Sequence, residues 1–488
     1  MRRVPGTPMS PASPSPAPIP PTRVRWRILA LLMGLCFLSH LNRLAMSVAG
    51  TEKLIPEHGI SPERMGLVYT AFLACYTAGM VLGGWCIDRL GARVMLLVMG
   101  CGSAIFGAVT GGLGLGLVGA SGLLTGLIFV RGLMGLFTTP LHPACAQAVS
   151  GWVPAEKISS ANGLVTFAAV LGMASAWPIF GSLMDRLGWP IAFLVTASLL
   201  MCLTWIWGVY GRDHIDFHPS PNQAERVLVR GESIAGGARS VVPPRETPSS
   251  LTPIERRAPS PPTTGPKPRP ILSLDPASES GAIAETTPLL SRSLLLLAAS
   301  YAAVGYFQYL FFYWSEYYFK ETLHVSTTQS RTYTTLLILA LGVGMPVGGW
   351  LADRLQRRHP GRRGWATVPA IGMALSSILL FLGLLAQTSL AIFSLFTVSM
   401  FALGASESSF WQAAVKLGGR RGGLAAAIIN TGGNGIGLLA PLLTPLISAQ
   451  LGWHWGIAIG GIVGLLGALC WLGIDPSRPP QKSSAPAF

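Results

Sequence analysis

Charge is what this chain has least of. Only 11% of its 488 residues are Asp, Glu, Lys or Arg, and half are hydrophobic. A soluble globular chain carries roughly 25% charge. A water-soluble body of this composition would have no means of covering its surface. Acid is scarcer than base, 20 residues against 35, for a formal net charge of +15. In a soluble protein that balance would suggest nucleic acid. Here the basic residues flank apolar segments and no basic-aromatic module is present, so a nucleic-acid partner is excluded. Cysteine is sparse. Cys36, Cys75, Cys86, Cys101, Cys145, Cys202 and Cys470 lie within or beside apolar stretches, and no two are spaced C-x-x-C. They read as small buried hydrophobes, not as a disulfide framework or a zinc site. H-E-x-x-H, Walker A and nucleophile-elbow patterns are missing. "GLGLVG" at 114–119 fits G-x-G-x-x-G, but it lies at a turn between apolar segments with no strand before it. No enzyme, cofactor or metal centre is expected.

What the chain does have is long apolar runs. A membrane-crossing helix needs about 20 mostly apolar residues. Runs of that length fall at 26–49, 64–86, 93–113, 120–149, 157–184, 189–210, 293–319, 330–352, 365–387, 389–416, 422–448 and 453–473. The expected fold is an all-α membrane protein with about twelve transmembrane helices. Residues 1–25 are rich in Pro and Ser, and the apolar run after them is too long for a signal-peptide core. Basic residues cluster before the first run (Arg2, Arg3, Arg23, Arg25, Arg27) and in the loops after runs 2, 8 and 10. The loops after runs 3, 9 and 11 have none. By the positive-inside rule both termini are cytoplasmic, and a cell (inner) membrane location as a monomer is expected.

Between Gly211 and Arg292 the composition changes. "VVPPRETPSSLTPIERRAPSPPTTGPKPRPILSL" has too few large apolar residues to bury a core. It reads as a disordered, Pro-rich cytoplasmic linker. The expected organisation is a tail at 1–25, a six-helix bundle at 26–211, a linker at 212–291, a second bundle at 292–474 and a tail at 475–488. Internal echoes support the division. "GGWCIDRL" at 83–90 returns as "GGWLADRL" at 348–355, an offset of 265. "LGW" at 187–189 returns at 451–453, an offset of 264. Nearly equal offsets point to a tandem duplication, and transporters often keep such repeats.

"GGWCIDRLGAR" resembles the G-x-x-x-D-R-x-G-R-R loop motif of the major facilitator superfamily, matched by Gly84, Asp88, Arg89, Gly91 and Arg93, with Ala92 in place of the first basic residue of the final pair. Asp353 and Arg354 carry the second copy. The resemblance implies a cytoplasmic latch between the halves in the outward-open state. "LNRLAMSVAG", "GISPERMGLVYTAFLACYTAGMVLGGWCIDRLGAR", "FFYWSEYYF" and "INTGGNGIGLLAPLL" resemble the anion:cation symporters, which include sugar-acid permeases and sialin relatives. That resemblance implies movement of a small organic anion, coupled to protons or sodium.

Several polar residues stand inside the apolar runs. Arg43 lies deep in the first run beside Asn42, with His40 one turn earlier. Arg131 lies in the middle of the fourth, where no other charge occurs between Arg93 and Glu156. A charge at the bilayer centre costs at least about 2.5–3.5 kcal/mol on insertion scales. It needs a partner, a water-filled cavity or a substrate. Two guanidinium groups would suit a carboxylate; bonds to backbone carbonyls would make them structural. His142 shares the Arg131 face at i+11, with Thr138 at i+7. Tyr306, Tyr309, Tyr313 and Tyr317 form a stripe on the seventh run, with Gln308 beside it, and Asn430 and Asn434 stand at i, i+4 on the eleventh. These residues bind substrate or pack helices. Glu407 is the one carboxylate inside the tenth run, 265 positions after His142. Both are proton-coupling candidates. The resemblance also implies two departures: many relatives carry Asp where this chain has Asn42, and Glu where it has Thr138. Anion transport through Arg43 and Arg131 is the leading reading. A neutral-solute carrier or uniporter with structural arginines, and a non-transporting sensor, are the alternatives.

Overall fold

The computed structural model describes residues 20–117, 119, 122–231, 291–359 and 361–476. Eleven helical stretches among them are long and apolar enough to cross a membrane. One of these, Pro62–Leu117, has 56 residues, far more than the roughly 20 a single crossing needs. It breaks at Gly91, whose backbone (φ 81, ψ 161) leaves the helix. This left-handed geometry favours glycine, and it turns one long stretch into two crossings. Twelve crossings result, in two halves of six.

The crossings are α1 (Val24–His58), α2 (62–90), α3 (92–117), α4 (Leu123–Trp152), α5 (Ala155–Leu187), α6 (Trp189–Tyr210), α7 (Arg292–Thr322), α8 (Thr327–Arg358), α9 (Arg362–Leu385), α10 (Ser389–Gly418), α11 (Gly422–Leu451) and α12 (Trp453–Cys470). An even number of crossings brings both chain ends to one face, here called the terminal face; the other is the far face.

The duplication is visible in local physics. Ser61 caps α2 by accepting from the Arg64 amide, and Ser326, 265 positions later, caps α8 by accepting from the Gln329 amide. Gly79 and Gly83 let α2 approach Thr139 on α4. Gly344 and Gly348, at the same offset, let α8 lie against the α10 backbone at Phe401 and Ala405. Small residues are what permit such close helix crossings in a bilayer. The repeated Leu-Gly-Trp folds alike: Gly188 (φ 78, ψ 156) and Gly452 (φ 88, ψ 159) turn the chain into α6 and α12.

The expected tails and linker fall largely outside the described residues, but the first part of the expected linker is structured. Residues 212–231 are ordered, with a short helix at Gln223–Arg230. Glu225 is fully buried. Its carboxylate accepts from the amides of Val24 (3.3 Å) and Arg25 (3.1 Å), from the Arg25 guanidinium (3.3 Å) and from the Thr22 hydroxyl. The α1 start has no side-chain cap of its own, so Glu225 supplies one from 200 residues away and complements the helix dipole. Asp213 does the same for α3, accepting from the Arg93 amide at 2.7 Å.

Glu225→Ala is therefore expected to destabilise the N-terminal half by about 1–3 kcal/mol, the usual cost of orphaning buried donors. Deleting 232–270 should leave the melting temperature near wild type, whereas a deletion that starts at Glu225 should lower it. Thermal melts of the two deletions in detergent check this; equal melts would show that the Glu225 contacts contribute nothing.

Candidate functional site

α1 carries Arg43 into the middle of the molecule, where it is 7% exposed. Three rings surround its guanidinium: Phe72 at 5.2 Å, Tyr309 at 5.3 Å and Tyr76 at 5.5 Å. Ring faces attract a cation, yet they accept no full hydrogen bond. Nε and Nη2 of Arg43 are buried and unpartnered. Arg131, on α4, is 2% exposed and lies over the Phe72 ring at 5.3 Å. Its donors are engaged. Nη2 donates to the Arg43 carbonyl at 2.9 Å, and Nη1 lies 3.5 Å from the Asn42 carbonyl and 3.1 Å from the Met134 sulfur. The two arginines are neighbours with different duties: Arg131 grips the α1 backbone, and Arg43, with the Tyr309 and Tyr313 hydroxyls in reach, keeps Nε and Nη2 without a partner.

The tyrosine stripe divides. Tyr309 lies under Arg43 and donates to Asn434 Oδ1 at 2.5 Å; Asn434 Nδ2 in turn donates to Asn430 Oδ1 at 3.0 Å. Tyr313 stacks on Tyr69 of α2 at 4.7 Å. Tyr317 packs on Trp453 of its own half. Gln308 turns from Arg43 and donates to Glu407 Oε2 at 3.1 Å, while the Tyr301 hydroxyl donates to Oε1 at 2.5 Å. Asn42 does not join the site. Its amide donates to the Leu38 and Thr196 carbonyls, toward α6. Adjacent residues on a helix point about 100° apart, so Asn42 cannot share the Arg43 face. Thr138 donates to the Met134 carbonyl at 2.7 Å. His142 meets His40 of α1, Nε2 to Nε2, at 3.4 Å.

The repeated Asp-Arg pairs lie at the terminal face. Asp88 and Arg89 are exposed, and Arg89 stacks over Trp85 at 3.9 Å. Asp353 accepts from Gln412 of its own half at 3.3 Å, and Arg354 lies over Trp350. Among the described residues, no ion pair joins the halves at this face. Arg93 donates through Nη2 to the Gly208 carbonyl, within its half.

At the far face the halves are bound together, by residues the sequence reading missed. Arg331 of α8 forks between two carboxylates of the other half. It donates to Glu52 of α1 from Nε and Nη2, both at 2.6 Å, and to Asp185 of α5 at 2.6 and 2.8 Å. Trp177 of α5 donates to the buried Glu316 of α7 at 2.8 Å, and Ser47 donates to the Tyr313 carbonyl at 3.1 Å. Thr70 donates to the Leu438 carbonyl. Every hydrogen bond between halves among the described residues lies between Arg43 and the far face. One signal was available in sequence: Glu316 interrupts an apolar run in "FFYWSEYYF".

Two pseudo-symmetric halves, fastened at one face around a central buried cation, define a membrane carrier of duplicated architecture. The Major Facilitator Superfamily model matches residues 32–437 and again 361–488. The chain belongs to the major facilitator superfamily; it is a multi-pass membrane transporter and not an enzyme. Similar proteins include a probable sulfoacetate transporter of Cupriavidus necator, 24% identical over 93% of this chain and 94% of that one. A D-galactonate transporter of Escherichia coli is 25% identical over 93% and 96%. A hexuronate transporter of Bacillus subtilis is 25% identical over 87% and 89%. Among solved structures, a bacterial homologue of the human lysosomal transporter Spinster, inward-facing and unoccupied, superposes with a TM-score of 0.67 at 13% identity, covering 93% of this chain and 97% of that one. The inward-open xylose transporter XylE of E. coli gives 0.61 at 14% identity, covering 94% and 98%.

Breaking the far-face fork should release that face. Removing one partner of a buried pair costs about 3–5 kcal/mol, enough to shift a two-state balance by more than a hundredfold. Spin labels at His58 and Thr328, one in each half, should show a longer distance in Arg331→Gln than in the parent. An unchanged distance distribution would mean that the fork does not hold the halves.

Proposed function

We propose that this transporter moves a small organic anion, a carboxylate or sugar acid, by alternating access, with Arg43 as the anion's contact. The observation that carries the reading is the pair of buried, unpartnered nitrogens on Arg43. Elsewhere in the centre, Arg131, Asn434 and Glu407 have protein partners. An anion would supply what Arg43 lacks, as a charge-assisted bond in a low-dielectric site. Tyr76 flanks the guanidinium and can donate to a substrate oxygen, while Tyr309, whose proton goes to Asn434, can only accept from a substrate hydroxyl; Asn430, Asn434 and Gln308 line the C-terminal half. Arg131 serves by holding the α1 carbonyls at 42 and 43 in place and by adding positive potential. Had both arginines been bonded to backbone carbonyls, as Arg131 is through Nη1 and Nη2, a neutral-solute carrier would fit better. The names of the relatives, which concern sulfoacetate, galactonate and hexuronate, support an anionic cargo.

With both termini cytoplasmic, as the basic loops imply, the fastened far face is external and this conformation is inward-facing. Asp88 and Arg89 are then free because their latch belongs to the opposite state. The driving ion is a proton or sodium. Asn42 and Thr138 cannot release a proton; of the residues singled out in the sequence, Glu407 and His142 remain as intramembrane candidates.

Thermal-shift screening against sulfoacetate, D-galactonate, D-glucarate and hexuronates tests the cargo. A ligand at a hundred times its Kd stabilises by about 2.7 kcal/mol. Arg43→Ala should then lose about 2–5 kcal/mol of binding and most uptake into proteoliposomes. Arg131→Lys should keep the protein folded yet weaken transport, since an ammonium cannot span two carbonyls as a fork does. Near-normal affinity in Arg43→Ala would remove it as the anion's ligand.

A further inference from the structure

Four side chains meet where α1 lies against α4: Cys36 and His40 from α1, His142 and Cys145 from α4. The sulfurs are 3.7 Å apart and the imidazole nitrogens 3.4 Å apart, with ring centroids at 5.1 Å. His40 is 6% exposed, whereas His142 is only half-buried. The hydrogen bonds fix the tautomers. His40 Nδ1 lies 2.9 Å from the Cys36 carbonyl. A carbonyl only accepts, so Nδ1 carries the proton and Nε2 of the same neutral ring is an acceptor. His142 Nε2 must then donate to it, which leaves His142 Nδ1 as the unprotonated nitrogen, on the less buried ring.

This arrangement has room for one more proton. Added at His142 Nδ1, it makes that ring an imidazolium and turns the Nε2–H···Nε2 contact into a charge-assisted bond. A second would set two N–H groups against each other across 3.4 Å. Arg43 stands three residues from His40 on the same helix, so the two side chains are neighbours. The titratable groups facing the pair are Arg43 and Cys36 from α1 and Cys145 from α4, with Tyr76 of α2 beside Cys36. The packed segments Ile158–Ser175 of α5 and Trp189–Tyr210 of α6 contain no Asp, Glu, Lys or Arg. The charge beside the pair is therefore the Arg43 cation. An anion bound at Arg43 offsets it and makes room for a proton on the pair.

We propose that His40 and His142 form a one-proton carrier, loaded when an anion occupies Arg43 and emptied through the half-exposed His142 ring toward the face that is open in this conformation. The proton moves on and off His142 Nδ1, and no other bond forms or breaks. This deepens the anion reading and rests on it for the cargo, though not for the proton chemistry of the two rings.

Two measurements test it. Ring-15N-histidine NMR of the full-length protein, assigned with His40→Gln and His142→Gln, reads the pair without any cargo. On lowering the pH, His142 should become an imidazolium while His40 keeps its neutral Nδ1–H form. Independent protonation of both rings, or of neither, overturns the proposal. Binding of D-galactonate and sulfoacetate, followed by calorimetry across pH, reads the linkage. Affinity should tighten with falling pH by up to tenfold per unit, the limit for one proton. Binding should also take up as much as one proton per anion. Either His→Gln variant should flatten both dependences while still binding the probe. A slope that persists in His142→Gln, or a flat response in wild type, overturns it. If neither probe binds, the cargo reading is what fails, and the NMR titration alone decides for or against the pair.

Discussion

One under-bonded cation organises this molecule. Arg43 sits in the low-dielectric centre with aromatic faces around it and no carboxylate on it. Burying a charge unpaired is costly, and the surroundings are built to tolerate that cost. Phe72 lies between the two guanidinium groups. Arg131 bonds the carbonyls of Asn42 and Arg43, on either side of the Arg43 Cα, which fixes the α1 backbone that carries Arg43. Tyr309 is fixed beneath it by Asn434, and Asn434 by Asn430. Each of these contacts keeps Arg43 where it is and satisfies some other group while doing so. On the proposed reading, a site held open in this way favours an anion over water.

The duplication explains how such a centre arose on a symmetric frame. At the offset of 265, caps, close-approach glycines and the Asp-Arg turns are preserved, because helix crossings depend on them. Polar residues at matched positions differ. Arg43 corresponds to Gln308, and His142 to Glu407. In the C-terminal half those two are bonded to each other, Gln308 donating to Glu407. In the N-terminal half the matched residues are cationic or able to become so. One half therefore presents positive charge to the central space and the other a satisfied carboxylate. On the proposed reading, a cargo between them would meet a polarised cleft that selects its orientation as well as its sign.

Twelve crossings, the repeat and the buried arginines were legible in sequence because each is a local or periodic signal. Apolar length reports a crossing, and a lone Arg in an apolar run reports a functional or structural need. What stayed hidden depends on distant partners. Arg331 reads as one more charge near a helix start, while its carboxylates lie 146 and 279 residues away. Glu225 reads as linker composition, and only the fold brings it to the α1 start. Asn42 directs its amide away from Arg43 for a simpler reason. It is adjacent to Arg43 in the chain, and adjacency on a helix means a different face. His40, three residues from Arg43, was the better neighbour to follow.

The two faces are held by unlike means, and this bears on how the carrier turns over. The far face is closed by directional charge: a guanidinium fork, a Trp–Glu bond and a Ser–carbonyl bond, all between halves. The terminal face has its charges turned toward its own helices, Arg89 on Trp85 and Asp353 on Gln412. A carrier must pass between two states of similar free energy, so each state's fastening has to be matched by another in its opposite. The exposed Asp-Arg pairs are the groups available for that role, and they sit at the turns where α2 and α8 end. The far-face fork is the stronger of the two on burial, since Glu52 is nearly enclosed and Asp88 is exposed. Left alone, that imbalance would hold the protein closed at the far face. The difference has to be made up by contacts that are stronger when the far face is open, and on the proposed reading a cargo anion that binds Arg43 more tightly in that state would supply them.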